Sequence, residues 1–410
     1  MHMKKLMLAV MGLAAVAGGP ARAAGIAVDL QSARGVGMAG SLIGAVDDAT
    51  GIYFNPAGIA QGQGLEVALG GAPIIPQFTV KTASGATFEG TSNIIPPVHA
   101  YATWGISDDW TVGIGIMTPF GLKVEWPAVN DPQSPFAPIR EVIKKADLKI
   151  FNINPTAAYR YGPFRIGGGI QIVRATVELT RDINLLDLGY VGVDLGAGAW
   201  GVGGNVGIQY EAIPKYLQFG LTYRSSVNLN FSGNAHFDNV PPQYANTFKD
   251  QTATTKLKLP DNIGLGIAVH PIPELLIDVD INYFAWQQFQ AIDIKFQDPA
   301  LNIYEAKQWS HSWNYRIGAE YTLNEHIQLR AGILYDKTPS PTYTLLPDIP
   351  DTDRINIGLG GTYRWGAFRI DAGYQFIKFL GATSTFPNPA FQYDYNATAH
   401  VLALTFGFKI

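Results

Sequence analysis

The chain has 410 residues and a formal net charge of -4, from 29 Lys and Arg against 33 Asp and Glu. Only 15% of the residues are charged, and there are 45 Gly and no Cys. The near-neutral charge excludes a large basic surface for nucleic acid, and the lack of Cys excludes disulfides, thiolate zinc sites, iron–sulfur clusters and a cysteine nucleophile. A hydrophobic content of 47% is enough to build a core, which argues against disorder.

The N-terminus has the features of a secretory signal. Residues 4–16 combine two lysines with an apolar run too short to span a bilayer with ease, and residues 21–23 (Ala-Arg-Ala) form a cleavage site of the A-x-A type. We predict that residues 1–23 are a signal peptide, with cleavage after Ala23, and that the protein is exported. A retained membrane anchor is the alternative.

From residue 65 to the end of the chain, apolar and polar residues alternate with period 2. In residues 274–283, for example, Leu275, Ile277 and Val279 fall on one face, and Asp278 and Asp280 fall on the other. A helix would spread these apolar residues around its circumference, whereas a pleated strand puts them on one side. No run of 18 apolar residues follows the signal, so no transmembrane helix is predicted.

The connections between the alternating segments are short and long in turn. Six short ones lie at residues 107–109, 161–163, 214–215, 271–273, 323–325 and 366–367. Seven long ones lie near residues 81–90, 125–146, 182–198, 233–252, 297–306, 338–350 and 381–393. Short turns at one end, long loops at the other and an even strand count are typical of a bacterial outer-membrane barrel. We therefore predict an all-β transmembrane antiparallel barrel of about 14 strands over residues 65–410.

Tryptophans cluster near the ends of the predicted strands, as they do in the interfacial girdles of membrane barrels. The eight are Trp104, Trp110, Trp126, Trp200, Trp286, Trp309, Trp313 and Trp365.

Residues 24–64 do not alternate and are rich in Gly and Ala, so we predict a small hatch of short turns inside the lumen of the barrel. Asp47 and Asp48 can accept hydrogen bonds from the first amides of a turn that begins near Ala49. The residues that shape the hatch are predicted to be Asp47, Asp48, Asn55, Pro56, Ala57 and Gly58.

These residues carry a resemblance. The segments at 34–40 (RGVGMAG), 47–50 (DDAT), 55–58 (NPAG), 118–122 (TPFGL), 221–225 (LTYRS), 259–261 (LPD), 286–289 (WQQF) and 347–354 (PDIPDTDR) occur in this order. Together they resemble the long-chain fatty-acid transporter family of outer-membrane proteins (FadL/TodX). The chain ends in Phe408-Lys409-Ile410, whereas such barrels usually end in Phe.

The resemblance implies a monomeric outer-membrane channel for passive uptake of long-chain fatty acids or similar hydrophobic molecules. Outer loops capture the substrate, an inner apolar pocket holds it, and it leaves sideways through a break in the wall. Implied partners are these substrates, outer-membrane lipids and lipopolysaccharide, and the barrel-assembly machinery. Uptake of aromatic hydrocarbons by the same route, a general diffusion porin and a lipid-acting barrel enzyme are the alternatives.

Two matches to G-x-G-x-x-G, beginning at Gly35 and Gly196, lack the strand–helix context of a dinucleotide site. The seven His include no close pair. We therefore predict no catalytic residues, no cofactor and no metal.

Candidate ligand-binding residues are apolar or basic. The apolar ones are Ile26, Phe120, Leu122, Leu185, Leu186 and Leu188, the last three in an outer loop. Arg174, Arg181 and Lys307 are the basic residues considered for a fatty-acid carboxylate, and Arg174 and Lys307 are the ones selected. The apolar face changes near Arg174, which predicts a bulge there. Pro119 cannot donate to a strand ladder, so Pro119 and Gly121 are predicted to mark the lateral opening.

Overall fold

The computed structural model describes residues 25–129, 131 and 133–410. The predicted signal peptide, residues 1–23, and its cleavage site lie outside the described residues. The boundaries predicted for the hatch (24–64) and the barrel (65–410) therefore stay predictions. Within the described residues, no helix is both long and apolar enough to cross a bilayer.

The protein is a closed antiparallel barrel of 14 strands, as the connections predict. Several strands are interrupted and consist of two segments. The strands are β1 (Gly64–Gly71 and Ile74–Lys81), β2 (Val98–Gly105), β3 (Trp110–Glu125), β4 (Lys145–Tyr161), β5 (Phe164–Asn184), β6 (Tyr190–Ile213), β7 (Leu217–Arg224 and Val227–Asp238), β8 (Gln251–Leu259 and Asn262–Ile272), β9 (Leu275–Phe284 and Ala291–Phe296), β10 (Ile303–Ala306 and Ser312–Thr322), β11 (Ile327–Asp336), β12 (Arg354–Trp365), β13 (Phe368–Phe379) and β14 (Asp394–Lys409). Two short strands, Thr87–Glu89 and Ala382–Thr383, belong to outer loops.

Pairing of the first strand with the last closes the ring. Glu66 of β1 lies opposite Lys409 of β14, while the other edge of β1 pairs with β2. The apolar face of the strands points outward and the polar face points into the lumen. On β12, Ile357 and Leu359 are exposed, whereas Asn356, which directly precedes Ile357 and points to the other face, is buried. This distribution suits a wall with lipid outside and polar contacts inside.

The connection between β5 and β6 is shorter than the predicted loop at 182–198. The two strands have 21 and 24 residues and turn through residues 185–189. Their outer ends are held by a cluster in which Val191, Val193 and Leu195 are buried with Phe237 and Phe296. Inward packing above the membrane thus extends these strands beyond the predicted length.

The hatch fills the lumen and consists of short elements. These are the helices α1 (Ala33–Gly37) and α2 (Gly51–Phe54) and a 3-10 turn (Pro56–Ile59), and a third helix, α3 (Ile139–Val142), lies in the outer loop between β3 and β4. Buried charges join the hatch to the wall. Arg34 pairs with Asp48 and, through its Nε, with Glu320 Oε2 at 3.0 Å. Glu320 also pairs with Arg330, and Asp48 with Arg369. Each of these hatch and wall charges thus has a partner of opposite sign, as burial requires.

Only part of the predicted tryptophan girdle lies on the outer surface. Trp104, Trp110, Trp200, Trp313 and Trp365 are exposed, as predicted. Trp126, Trp286 and Trp309 are buried inside, so their assignment to the girdle is wrong. The last two lie in or beside interruptions of β9 and β10, where the chain turns inward.

Candidate functional site

The ladder between β2 and β3 ends near Pro119. Residues 111–116 of β3 pair with β2, whose first residue, Val98, is its outer end. On its other edge, β3 pairs with β4 as far as Glu125, with a register shift between Met117 and Phe120. The outer half of β3 therefore has no ladder partner in β2, and Pro119, which has no N–H, lies where the pairing stops.

The N-terminal segment of the hatch takes the place of this missing partner from inside. The Val28 amide donates to Pro119 O at 2.9 Å, and the Gly121 amide donates to Ile26 O at 3.1 Å. The side chain of Gln31 bonds both backbone groups of Thr118, at 2.8 and 3.1 Å. Residues 26–31 are thus held against the kink in β3.

An aromatic cluster fixes the beginning of this segment. The ring of Trp286 makes edge contacts with Trp309 and Phe120, at centroid distances of 5.1 and 6.1 Å. Gly25 has a φ of +59°, and a Cβ there would lie 2.5 Å from Trp309 Cζ3. Only glycine fits this position without a shift of the ring.

Two cavities meet at the N-terminal segment. One, of 190 Å³, lies behind the kink and is lined by Gly121, Val28, Ile74 and Phe78, among others. The other, of 120 Å³, lies toward the outer loops. Ile26, Leu122 and Ile349 line both and separate them. The structure therefore brings together Ile26, Leu122 and Gly121, and Phe120 packs in the same apolar cluster.

The outer cavity is apolar except for a few charged groups at one side. Its walls include Leu148, Val177, Leu179, Phe231, Phe289 and Ile292, and the charged side chains that face it are Arg181, Glu305 and Asp348. Arg181 contributes the guanidinium group of this lining. Its Nε is buried and has no hydrogen-bond partner among the described residues. The arrangement places a guanidinium with one unpartnered N–H group beside an apolar space.

Lys307 lies nearby but is already paired. Its side chain is buried, and Nζ donates to Asp348 Oδ1 at 2.8 Å and to Glu305. The Thr344 hydroxyl donates to the carbonyl oxygen of Lys307. The structure therefore places Lys307 in a buried ion cluster next to the cavity lining.

Arg174 lies on the outer face of β5. Its Cζ is 5.3 Å from the ring centroid of Trp200, and its Nη1 donates to Ala199 O at 3.2 Å. The predicted bulge is absent, because β5 keeps one register with β6 from Phe164 to Asn184. The apolar side chains change face along β5. In the membrane-spanning part of β5 they point outward to lipid, whereas in its outer part they point inward to the cavity, as Val177 does.

The loop leucines do not reach either cavity. Leu186 is 83% exposed and Leu188 is 48% exposed, while Leu185 packs against the cluster that holds the outer ends of β5 and β6. Two apolar side chains are therefore presented to the outside at the β5–β6 turn.

The hatch residues form turns and contacts with the wall. Asp48 Oδ1 accepts from the Thr50 amide at 2.9 Å, and the partly exposed Asp47 pairs with Arg34. Asn55 Oδ1 accepts from the Ala57 amide, while its Nδ2 donates to Ile43 O and Ile208 O. Pro56 begins the 3-10 turn. A Cβ on Gly58 would lie 2.5 Å from Val46 O, so the close approach requires glycine.

A family model described as "Outer membrane protein transport protein (OMPP1/FadL/TodX)" matches residues 14–410. The chain belongs to the FadL/TodX family. It is an outer-membrane transport protein for hydrophobic molecules and not an enzyme.

Curated members of the family are similar along nearly the whole chain. The long-chain fatty acid transport protein of Salmonella typhi is 26% identical, with 94% of each chain covered. Outer membrane protein P1 of Haemophilus influenzae is 26% identical, with 92% of this chain and 91% of that protein covered.

Solved structures show the same fold. A FadL homologue of Pseudomonas aeruginosa superimposes with a TM-score of 0.80 at 16% identity, covering 94% of this chain and 99% of that one. The toluene transporter TbuX of Ralstonia pickettii gives 0.70 at 17% identity, with 92% and 98% covered.

Within this FadL/TodX fold, the sequence prediction missed three residues of the site, Trp286, Trp309 and Arg181. Trp286 and Trp309 form the aromatic cluster around Gly25, and their position beside interruptions of the alternation was a usable signal. Arg181 was considered but not selected. Its alternation with Val177 and Leu179 on one face of β5 was a signal that it points inward.

Proposed function

We propose that this chain takes up long-chain fatty acids, or similar molecules with an apolar tail and an acidic head, by passive passage. The observation that carries the proposal is the buried, unpartnered Nε of Arg181 beside the apolar cavity. A carboxylate removed from water needs a charge-assisted hydrogen bond, and a guanidinium supplies one. The apolar walls, including Leu179 and Phe289, suit the tail.

The proposed route has three stages. Leu186 and Leu188 capture the substrate at the outer surface, and the outer cavity then holds it. Displacement of Ile26 joins the two cavities, and the molecule leaves into the membrane through the wall beside Pro119 and Gly121. No energy input is required, because an acyl chain gains about 0.8 kcal/mol per CH₂ on leaving water and this exit leads into lipid.

The proposed setting of the channel is a monomer in the outer membrane. Its exposed apolar belt contacts outer-membrane lipids and lipopolysaccharide, and the barrel-assembly machinery inserts it. Residues 24–64 act as the hatch through Asp47, Asp48 and the turn at residues 55–58.

Uptake of aromatic hydrocarbons is the second candidate function. It is favoured by the aromatic rings of Phe231 and Phe289 in the cavity wall. A hydrocarbon has no polar head, so it needs no polar residue to bind one. A neutral hydrocarbon would leave the Arg181 guanidinium unsatisfied, which makes it the weaker candidate.

An uptake competition separates the two. Cells that lack their own transporter of this kind and express this chain are given a labelled long-chain fatty acid, with or without excess toluene. We expect fatty-acid uptake that toluene inhibits weakly. Uptake of labelled toluene without uptake of the acid would reverse the assignment.

A further inference from the structure

A second interruption of the wall lies between β8 and β9. The inner segments of these strands pair from Asn262 opposite Phe284 to Ile272 opposite Leu275. The outer segments pair only at Ala253 with Phe296 and at Thr254 with Lys295. Residues 255–261 and 285–294, all of them described, have no ladder pairing with each other across this stretch.

The neighbouring strands remain joined on either side of the interruption. The outer segment of β8 pairs with β7 from Val227 opposite Leu259 to Ala235 opposite Gln251. The outer segment of β9 pairs with β10 from Ala291 to Ile294. The gap is therefore a local separation of two strands and not a frayed end of the barrel.

Hydrogen bonds between β8 and β9 mark the two ends of the gap. At the inner end, Asp261 O accepts from the Ala285 amide at 2.9 Å, and Asp261 Oδ2 accepts from Gln288 at 2.9 Å. At the outer end, Thr255 Oγ1 donates to Asp293 O at 2.9 Å. At about 3.3 Å per residue, the unpaired stretch of β8 between these contacts is about 20 Å long.

The gap leads to the outer cavity. Thr255 and Leu257 from β8 and Phe289 and Ile292 from β9 line that cavity. Leu257 and Ile292 are half-buried, since they face the cavity from opposite rims of the gap. Both unpaired edges thus border the apolar space that also contains Arg181.

The outer surface changes character at the same height. Below the gap, Ile263 and Leu265 of β8 are exposed and apolar, and Tyr283 packs on Trp313 at 5.0 Å. Aromatic rings of this kind mark the membrane interface. Beside the gap the outward side chains of β8 are Lys256 and Lys258, which form no ion pair among the described residues. The gap therefore lies at the head-group level of the outer leaflet.

We propose that this gap is a second side opening, through which anionic amphiphiles dissolved in the outer leaflet enter the cavity directly. Lys256 and Lys258 attract the acidic head at the rim, while the tail slides between Leu257 and Ile292. The inference rests on the proposed function, because it assumes that the cavity holds such molecules. It adds an entrance from the membrane to the capture from water by the outer loops.

The test uses a cleavable cross-link between two introduced cysteines. The sequence contains no cysteine, so the reagent reacts only at the introduced pair. The Leu257→Cys/Ile292→Cys variant in outer-membrane vesicles is bridged with a short, reducible bis-maleimide. Uptake of a fatty acid preloaded into the outer leaflet is compared with uptake of the same acid presented from water on albumin. We expect the bridged form to lose a much larger fraction of its uptake from the leaflet than of its uptake from water, and to recover both after reduction, since both residues also line the cavity. Equal fractional loss from the two sources would place the effect in the cavity and contradict a side opening.

The matched control is a Leu265→Cys/Ile281→Cys variant, because these residues are direct partners in the paired part of the same strands. Bridging there should leave leaflet uptake unchanged. Equal leaflet uptake by the bridged and reduced Leu257→Cys/Ile292→Cys forms would overturn the proposal.

A second measurement covers failure of the cysteine variant to assemble. Lys256→Gln/Lys258→Gln should slow leaflet uptake of the acid and leave that of its methyl ester unchanged, and equal slowing of both would also overturn the proposal. Fatty-acid binding by the wild-type protein in detergent is measured in parallel. Its absence would refute the proposed function, whereas intact binding with unaffected leaflet uptake refutes only the side opening.

Discussion

The amide of Val28 donates a 2.9 Å hydrogen bond to the carbonyl oxygen of Pro119. A residue of the hatch thereby occupies a place in the wall where β3 has lost its neighbour in β2. The bond joins the N-terminal segment of the hatch to the edge of β3 at the proposed exit. Any substrate that leaves here must pass between this segment and Gly121.

A bulky residue at Gly121 should block this exit. A Cβ at Gly121 would lie 3.3 Å from Leu148 O, a contact that a small shift relieves, so the Gly121→Phe barrel should assemble. Its ring should fill the space behind the kink and abolish most fatty-acid uptake, measured with labelled acid in intact cells. Gly168→Phe is the matched control, because its Cβ would also lie 3.3 Å from a backbone oxygen, that of Asn205, but far from the kink. Full uptake by Gly121→Phe would mean that the substrate leaves elsewhere.

Deletion of residues 24–64 should open the lumen to small hydrophilic solutes. The hatch contributes Arg34 and Asp48 to ion pairs with the wall, and the wall keeps its own pair between Glu320 and Arg330 without them. The strands should therefore still close. Single-channel conductance in planar bilayers is expected to rise well above that of the intact chain. Equal conductance of the two proteins would contradict a hatch that seals the lumen.

The strand count and the position of the hatch could be predicted from the sequence because both depend on local pattern. Alternation with period 2 marks each strand, and short turns such as 366–367 mark the inner ends. The loss of alternation before residue 65 marks the hatch. The kink at Pro119 was also predictable, since proline lacks the amide that a ladder requires.

The interior of the site was less predictable, because it depends on which face of each strand is inside. Arg174 and Arg181 lie on the same strand with similar neighbours, yet one meets Trp200 outside and the other meets the cavity. The change of apolar face reflects the membrane boundary rather than a bulge, and no local motif shows where that boundary falls. The gap between β8 and β9 requires the register of both strands, which the sequence does not carry.

Binding of anionic molecules should weaken as the pH rises through neutrality. Glu305 lies in the outer segment of β10, at the head-group level and outside the hydrocarbon core, and burial together with the nearby Asp348 raises its pKa to about 7. Below that pH the carboxyl is neutral, and above it the added negative charge opposes an anion at Arg181. Lys307, which faces both carboxylates, keeps its charge throughout because its pKa is raised by them.

The measurement uses a long-chain alkyl sulfonate, because its head stays ionised across this range. Its affinity for the detergent-solubilised protein should fall between pH 6 and pH 8, roughly one unit either side of the pKa. Glu305→Gln should remove the dependence and keep the affinity of the low-pH form. An equally steep dependence in Glu305→Gln would assign the titration to another group.

Arg181 is the residue on which the choice of substrate depends, and two further variants isolate its effect. Arg174→Ala removes a guanidinium from the outer face and should leave binding unchanged. Lys307→Ala leaves Glu305 and Asp348 buried without their cation, so it should weaken binding of acids and neutral analogues alike. Selective loss for acids in either variant would move the head-group site to that residue.

The most direct measurement is equilibrium binding of a long-chain fatty acid and of its methyl ester to the full-length protein, with and without Arg181→Gln. The wild-type protein should prefer the acid by about 1.5–3 kcal/mol, the range for hydrogen bonds to charged groups. Arg181→Gln should lose this preference while its affinity for the ester stays the same. Equal affinity of the wild-type protein for acid and ester, or an unchanged preference in Arg181→Gln, would contradict a carboxylate bound by Arg181.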